Sequence, residues 1–539
     1  MKVITLTWGD LQPCCGYFFF RNNNPRSDIR LRLKKSAEVI VPQIFFFEGR
    51  TERKESINFV LLMEEQRTQP NLSEDKNYQQ EVEVEPRGNA GERSNFKAGT
   101  ERGDELNEED KLLEKILSRT NMNLAYERVK ENAGSAGIDK MKTEELLKHL
   151  KIHGKVLIND LSTGRYCPQA VKRVEIPKPD GGNRGLGIPT VVDRLIQQAI
   201  SQVLVPIFDE GFSESSYGFR PNKNAHQAIH KATAYINEGY RVVVDIDLEK
   251  FFDRVNHDKL MHLVSKKVRD KRVLELIRKF LESGIMEGGV FVKSTEGTPQ
   301  GGPLSPLLSN IMLDELDKEL EKRGHRFCRY ADDCNIYVRS ERSAERVMSS
   351  ISKFIEEELR LKVNQTKSEV GSPKRRKFLG FSFYQKKKDV KVRIHPKSIE
   401  RIKSKLKKLT SRSNAMSMEQ RIIKLNQLTI GWTSYFRIAD MKSHCQELDE
   451  WVRRRLRMCH WKDWKKIGTK FTNLIKLGIE RGKAWEFANT RKGYWRISKS
   501  PILHCTLTNS YFKERKLVTF SQTYSKLSNF TNRPMPNGT

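Results

Sequence analysis

The sequence predicts an α+β fold: a sheet of the split βαβ type, followed by a long helical region. Three observations carry this. The run VVVDIDL (242–248) reads as a buried strand because it is mostly apolar, and CRYADDCNIYV (328–338) reads as two short strands joined by a tight acidic turn. Between and after them, apolar residues recur at helical spacing. Beyond Gly371 the chain becomes strongly basic, and from about residue 397 the pattern is helical.

Taken in chain order, residues 1–105 hold apolar fragments and then a polar stretch with no sustained period, as expected of a poorly structured leader. Helical stripes begin at Leu112, Leu113, Ile116 and Leu117, and a second helix is expected to hold Leu124, Ala125, Arg128 and Val129. A third begins near Thr143. The text VKRVEIPKPDGGNRGLGIP (171–189) alternates as a hairpin around PDGG, and DRLIQQAISQVLVPIF after it reads as a helix. Two amphipathic helices follow the 242–248 strand, one with Leu260, Leu263 and Val264, the other with Val273, Leu276, Ile277 and Phe280. GTPQGGPLSPLLSNI is a Gly/Pro loop opening a helix, and residues 341–360 form another helix after the acidic hairpin.

Composition narrows the class of partner. The 539 residues include 99 Lys and Arg against 68 Asp and Glu, a net charge of +31, which points to a polyanion, nucleic acid before membrane. No apolar run reaches the eighteen or so residues that a membrane span needs. The eight cysteines show no CxxC pair, so a reducing cytoplasm is the expected setting. From 374 to 408 fifteen Lys or Arg face two acids, and aromatics interleave further on: Trp432, Tyr435, Phe436, Trp451, Trp461, Trp464, Trp485 and Trp495. Basic stripes with aromatic platforms suit nucleic acid.

The acidic pair at Asp332 and Asp333 needs a reason. Adjacent carboxylates repel and desolvate badly unless a cation or proton sits between them. A phosphoryl-transfer site with two metals needs carboxylates brought from separate strands, and Asp247 ends one strand while Asp332 tips another. With a basic hairpin for phosphates and a Gly/Pro loop carrying Gln300, these acids suit a polymerase palm.

From about Glu109 to Ser528 the chain resembles a group II intron-encoded reverse transcriptase and maturase of the bacterial class C type. The stretches VEIPKPDGGNRGLGIPTVVDRLIQQAI, SYGFRPNKNAHQAI, VVVDIDLEKFFDRVNHD, GTPQGGPLSPLLSNI, RYADDCNIYV, LKVNQTKSE and KFLGFSF resemble that family's polymerase blocks in order. NQLTIGWTSYF and ANTRKGYWRISKSP resemble its thumb and maturase region. The resemblance implies a right-hand polymerase with a ferredoxin-like palm, divided into an N-terminal extension and fingers (106–240), a palm (241–395), a helical thumb and maturase region (396–528) and a tail (529–539).

Carried over by position, it implies that Asp247, Asp332 and Asp333 are the catalytic, metal-holding aspartates, with two Mg²⁺ ions as cofactors. Lys178 and Arg184 would hold the incoming triphosphate, Phe252 would exclude a ribose 2′-hydroxyl, and Gln300 would lie near nucleotide and template. Lys367 would protonate the leaving pyrophosphate. Arg453, Arg454 and Arg455 are expected to grip phosphates.

The implied partners are the parent intron RNA, an RNA template with a DNA primer, and target DNA, with no membrane; the resemblance admits a homodimer. No Cys/His-rich endonuclease module is recognisable, so target nicking by this chain is not expected. Residues 1–62 match nothing in the family pattern, which makes Met63 the expected start. Two rivals stand beside this reading. A stand-alone or retron-like reverse transcriptase is disfavoured by the long region 400–528, and an RNA-binding splicing factor with a dead palm is disfavoured by the intact acids.

Overall fold

The computed structural model describes residues 111–177, 182–387 and 389–531, with side chains through 528. The leader (1–105) with Met63, Lys178 and most of the tail lie outside the described residues.

Among the described residues ten strands form three sheets: β1 (Val171–Pro177), β2 (Asn183–Ile188), β3 (Val242–Ile246), β4 (Ile285–Glu287), β5 (Val290–Val292), β6 (Arg326–Tyr330), β7 (Asp333–Val338), β8 (Glu369–Gly371), β9 (Phe381–Lys386) and β10 (Asp389–Ile394). The first sheet has the order β2-β1-β4-β5, with β1 antiparallel to β2 and parallel to β4. The central sheet has the order β6-β7-β3-β8 and is antiparallel throughout. Strand β7 lies between β3 and β6, and β3 lies between β7 and β8, so each helical crossover is split by a strand of the other unit.

Both faces of the central sheet are covered, which explains why β3 is apolar almost throughout although its pairing is antiparallel. Val242, Val244 and Ile246 lie opposite Val338, Ile336 and Cys334, and these six face a core shared with the helices Ser305–Lys322 and Glu341–Glu357. The alternate residues Val243 and Tyr337 face a second core with the helix Ala225–Asn237 and the C-terminal helices. Asp245 and Asn335 follow on that second face, where the strands run toward the acidic turn.

The helix Val191–Asp209 is long and apolar enough by composition to cross a membrane, but thirteen of its residues are buried in the protein. Thr190 caps it by accepting the Asp193 N–H. The helix Arg119–Asn132, which the sequence predicts, presents one face to the core. Met122, Ala125, Tyr126 and Val129 are buried, whereas Leu124 is 46% exposed, because one face of that helix already meets the core completely.

After the β9–β10 hairpin come three long helices, Pro396–Leu409, Met418–Phe436 and Lys442–Asp463, and then shorter ones to Thr531. Trp432, Phe436 and Trp461 fill the core among them instead of forming surface platforms. Among the described residues Trp485 and Trp495 are the exposed indoles, at 57% and 40%.

Candidate active site

Asp247 follows the last residue of β3 and is held there by the turn 364–368. Its N–H donates to Ser368 Oγ at 3.0 Å and its carbonyl accepts the Asn364 N–H at 2.8 Å. That places Lys367 Nζ 3.9 Å from Asp247 Oδ2.

Antiparallel pairing sets the other acids beside it. Ile246 lies opposite Cys334, and Tyr330 lies opposite Asp333 across the β6–β7 turn. Only Ala331 and Asp332 span that turn, and Ala331 is left-handed, with φ 57°. Two-residue hairpins favour Gly or Asn at such a position, so an alanine there carries strain that its surroundings must hold.

The acids affect one another's protonation. Asp333 is exposed to solvent, yet protein encloses it closely enough that lost hydration, followed by the Asp332 and Asp245 charges, pushes its carboxyl up to about 7. Asp332 is likewise raised, first by lost hydration and then by Asp247, while Arg184 and Arg329 pull the other way. Asp245 is pushed up to about 6, again by burial first, with Arg376 opposing and Asp247 adding to the rise. Arg184 on β2 is thus brought within electrostatic reach of Asp332.

This is a set of hard oxygen donors short of positive charge, and its chemistry fits a divalent cation. Among the described residues no three His, Cys, Asp or Glu side chains converge closely enough to hold a metal ion. The donor types suit such an ion, and Asp247, Asp332 and Asp333 are the residues that would hold it.

The Gln300 carbonyl accepts the Gly187 N–H at 2.8 Å, which docks the PQGG loop on β2. Gly301 is at φ 124°, and a Cβ there would meet Gly187 O at 2.7 Å, so the approach requires glycine. The Phe252 carbonyl accepts the Thr298 N–H at 2.6 Å, and its half-buried ring meets the buried Phe251 ring edge-on with centroids 5.1 Å apart.

The three arginines of the helix Lys442–Asp463 part company. The Arg454 guanidinium lies 3.8 Å from the Trp495 ring centroid. Arg455 donates to Thr410 Oγ1, to Thr410 O at 3.3 Å and to Lys407 O at 3.2 Å, so it caps the C-terminal end of Pro396–Leu409. Arg453 is half-buried.

Sequence reasoning missed Asp245, although its spacing of two from Asp247 on a strand places both on one face. It also missed Ser368, which lies within the LKVNQTKSE block beside Lys367.

The reverse transcriptase (RNA-dependent DNA polymerase) family matches residues 176–383, and the group II intron, maturase-specific domain family matches residues 399–478. Protein YkfC of Escherichia coli is 31% identical over 278 residues, covering 44% of this chain and 73% of its own. The group II intron-encoded protein LtrA of Lactococcus lactis is 42% identical over 165 residues, 30% of this chain and 27% of LtrA. The chain therefore spans most of the first relative and just over a quarter of the second. The polymerase match covers the strands carrying Asp247, Asp332 and Asp333, and the maturase match covers the basic helices that follow: the chain belongs to the group II intron-encoded reverse transcriptases and maturases, RNA-directed DNA polymerases that also serve intron splicing and mobility.

Proposed function

We propose that this chain copies its parent intron RNA into DNA at Asp247, Asp332 and Asp333, and that its helical region binds the same RNA to promote splicing and engages target DNA during mobility. The observation that carries the reading is the meeting of two chain-distant acidic elements at one end of the central sheet, with Arg184 acting on Asp332. In this reading 106–240 is the N-terminal extension and fingers, 241–395 the palm and 396–528 the thumb and maturase region.

The three aspartates would hold two Mg²⁺ ions, which when bound activate the primer 3′-hydroxyl and neutralise charge developing on the leaving pyrophosphate. The chain's own groups do the rest. Arg184, with Lys178, pairs with the triphosphate oxygens and orients the nucleotide. The Phe252 ring, fixed from behind by Phe251 and by the Thr298 N–H on its carbonyl, closes the space a 2′-hydroxyl would need. Gln300, on a loop seated against β2, contacts the nucleotide and its template base. The Lys367 ammonium, 3.9 Å from Asp247, delivers a proton to the leaving pyrophosphate.

Deoxynucleotide incorporation on a primed RNA template, together with splicing of the parent intron, tests this in a single variant. Asp247→Ala is expected to abolish synthesis and spare splicing. Synthesis at the wild-type rate in that variant overturns the assignment.

A further inference from the structure

The turn presenting Asp332 and Asp333 is held from behind by a buried polar network that the chemistry above does not use. Arg329 is fully buried, and each of its five guanidinium N–H donors has an acceptor. Nε and Nη2 donate to the two carboxylate oxygens of Asp317 at 2.7 and 2.5 Å, and Nη2 also donates to Ser216 Oγ at 2.8 Å. Nη1 donates to Asn310 Oδ1 at 3.1 Å and to the Ala331 carbonyl at 2.9 Å.

Asn310, itself buried, donates from Nδ2 to the Gly218 carbonyl at 2.9 Å. Gly218 is pressed against the same turn, since a Cβ on it would lie 2.3 Å from the Ala331 backbone nitrogen. The loop around it is laced to β6, with the Arg329 N–H on Ser215 O and the Tyr217 N–H on Arg329 O, both at 2.9 Å.

A buried ion pair is seldom a strong source of stability compared with apolar packing, so its value lies in the geometry it specifies. Here the contacts end on one residue. Arg329 holds the carbonyl of Ala331, and Gly218 closes on its nitrogen. Left-handed backbone disfavours a side chain with a Cβ and persists only where the surroundings over-determine it.

We propose that Arg329, Asp317, Asn310 and Gly218 form a positioning clamp that keeps Ala331 left-handed and so sets where Asp332 and Asp333 stand relative to Asp247. These four are positioning residues, and none of them touches the reacting atoms. The clamp rests on the reading of this turn as the polymerase site.

The test uses the full chain with Asn310→Ala, read by single-nucleotide incorporation against Mg²⁺ concentration, by primer-template affinity and by melting temperature. The clamp predicts a kcat at least tenfold lower, a several-fold higher Mg²⁺ requirement and unchanged primer-template affinity. Glycine adopts the left-handed region freely, so Asn310→Ala combined with Ala331→Gly is expected to recover kcat relative to Asn310→Ala alone without recovering melting temperature. A purely structural role would lower kcat only in proportion to the folded fraction and show no such recovery.

If Asn310→Ala does not fold, Gly218→Ala pushes on the same nitrogen from a loop and is expected to give the same kinetic pattern. Wild-type kcat and Mg²⁺ response in a folded variant of either kind overturn the clamp. Asp332→Ala run alongside keeps the two readings apart. Activity there overturns the site itself, whereas an inactive Asp332→Ala beside an unaffected Asn310→Ala overturns the clamp alone.

Discussion

The ammonium of Lys367 stands 3.9 Å from Asp247 Oδ2, across a turn whose Ser368 hydroxyl accepts the Asp247 N–H. The lysine side chain is 61% exposed, and exposed ion pairs contribute about 0–1 kcal/mol, so Lys367→Ala is expected to leave the melting temperature nearly unchanged. Proton delivery by a positioned side chain is worth roughly 10²–10⁴-fold in rate, so the same variant is expected to lose about two orders of magnitude in single-nucleotide incorporation. An unaltered kcat reduces Lys367 to a neighbour of Asp247.

Phe252 separates sugar discrimination from core packing. Its neighbour Phe251 is 2% exposed and belongs to the core, whereas Phe252 is only half-buried. Phe252→Ala is expected to raise incorporation of ribonucleotides relative to deoxynucleotides, with a modest stability loss from the vacated edge-on contact. Competition between ribo- and deoxynucleotides on one template decides it, and unchanged discrimination returns Phe252 to a packing role.

The acids predict how metal-free stability depends on pH. In the folded chain the Asp333 carboxyl is pushed up to about 7, against about 3.9 when unfolded. As pH falls from 8 toward 4 the folded state takes up a proton before the unfolded state does, so stability rises through that window. Asp245, pushed up to about 6, adds in the same direction. His460 opposes both, because burial holds it neutral down to about 4 and acid therefore costs folding. The comparison must accordingly be a difference. In chelator, wild type minus Asp333→Asn is expected to gain melting temperature as pH drops from 8 to 5, and Mg²⁺ is expected to flatten the difference. No change in the difference across that range contradicts the crowding of carboxyls.

What the sequence made legible follows from how local each signal was. β3 and the β6–β7 hairpin stand out because their apolar residues fill two cores, and that leaves Asp247 and Asp332 as the conspicuous exceptions. Arg329 was illegible because its partners Asp317, Asn310 and Ser216 lie 12, 19 and 113 positions away, on a helix and a loop that only the fold brings together. Trp432 and Trp461 looked like nucleic-acid platforms until the helices of the C-terminal region enclosed them. A run such as Arg453, Arg454 and Arg455 cannot reveal which guanidinium a neighbouring helix end will claim.

That division gives the last prediction. Arg455 donates to the exposed Lys407 carbonyl near the end of Pro396–Leu409 and to Thr410, whose carbonyl also accepts from Cys459 Sγ, so Arg455→Ala is expected to lower stability by about 0.5–1.5 kcal/mol. Its salt dependence of RNA binding, measured on folded protein, is expected to stay near wild type. Arg454 lies over the exposed Trp495 ring, its guanidinium 3.8 Å from the centroid, and donates to the Trp495 carbonyl at 3.4 Å. If it meets a phosphate, Arg454→Gln should lower the slope of log affinity against log salt by about 0.7 for single-stranded RNA, with little change in melting temperature. Chemical denaturation of the two variants and binding titrations across a salt series separate these outcomes. The reverse pattern, with Arg455 changing the slope and Arg454 the stability, would show that the cap is incidental and that the Trp495 stack is structural.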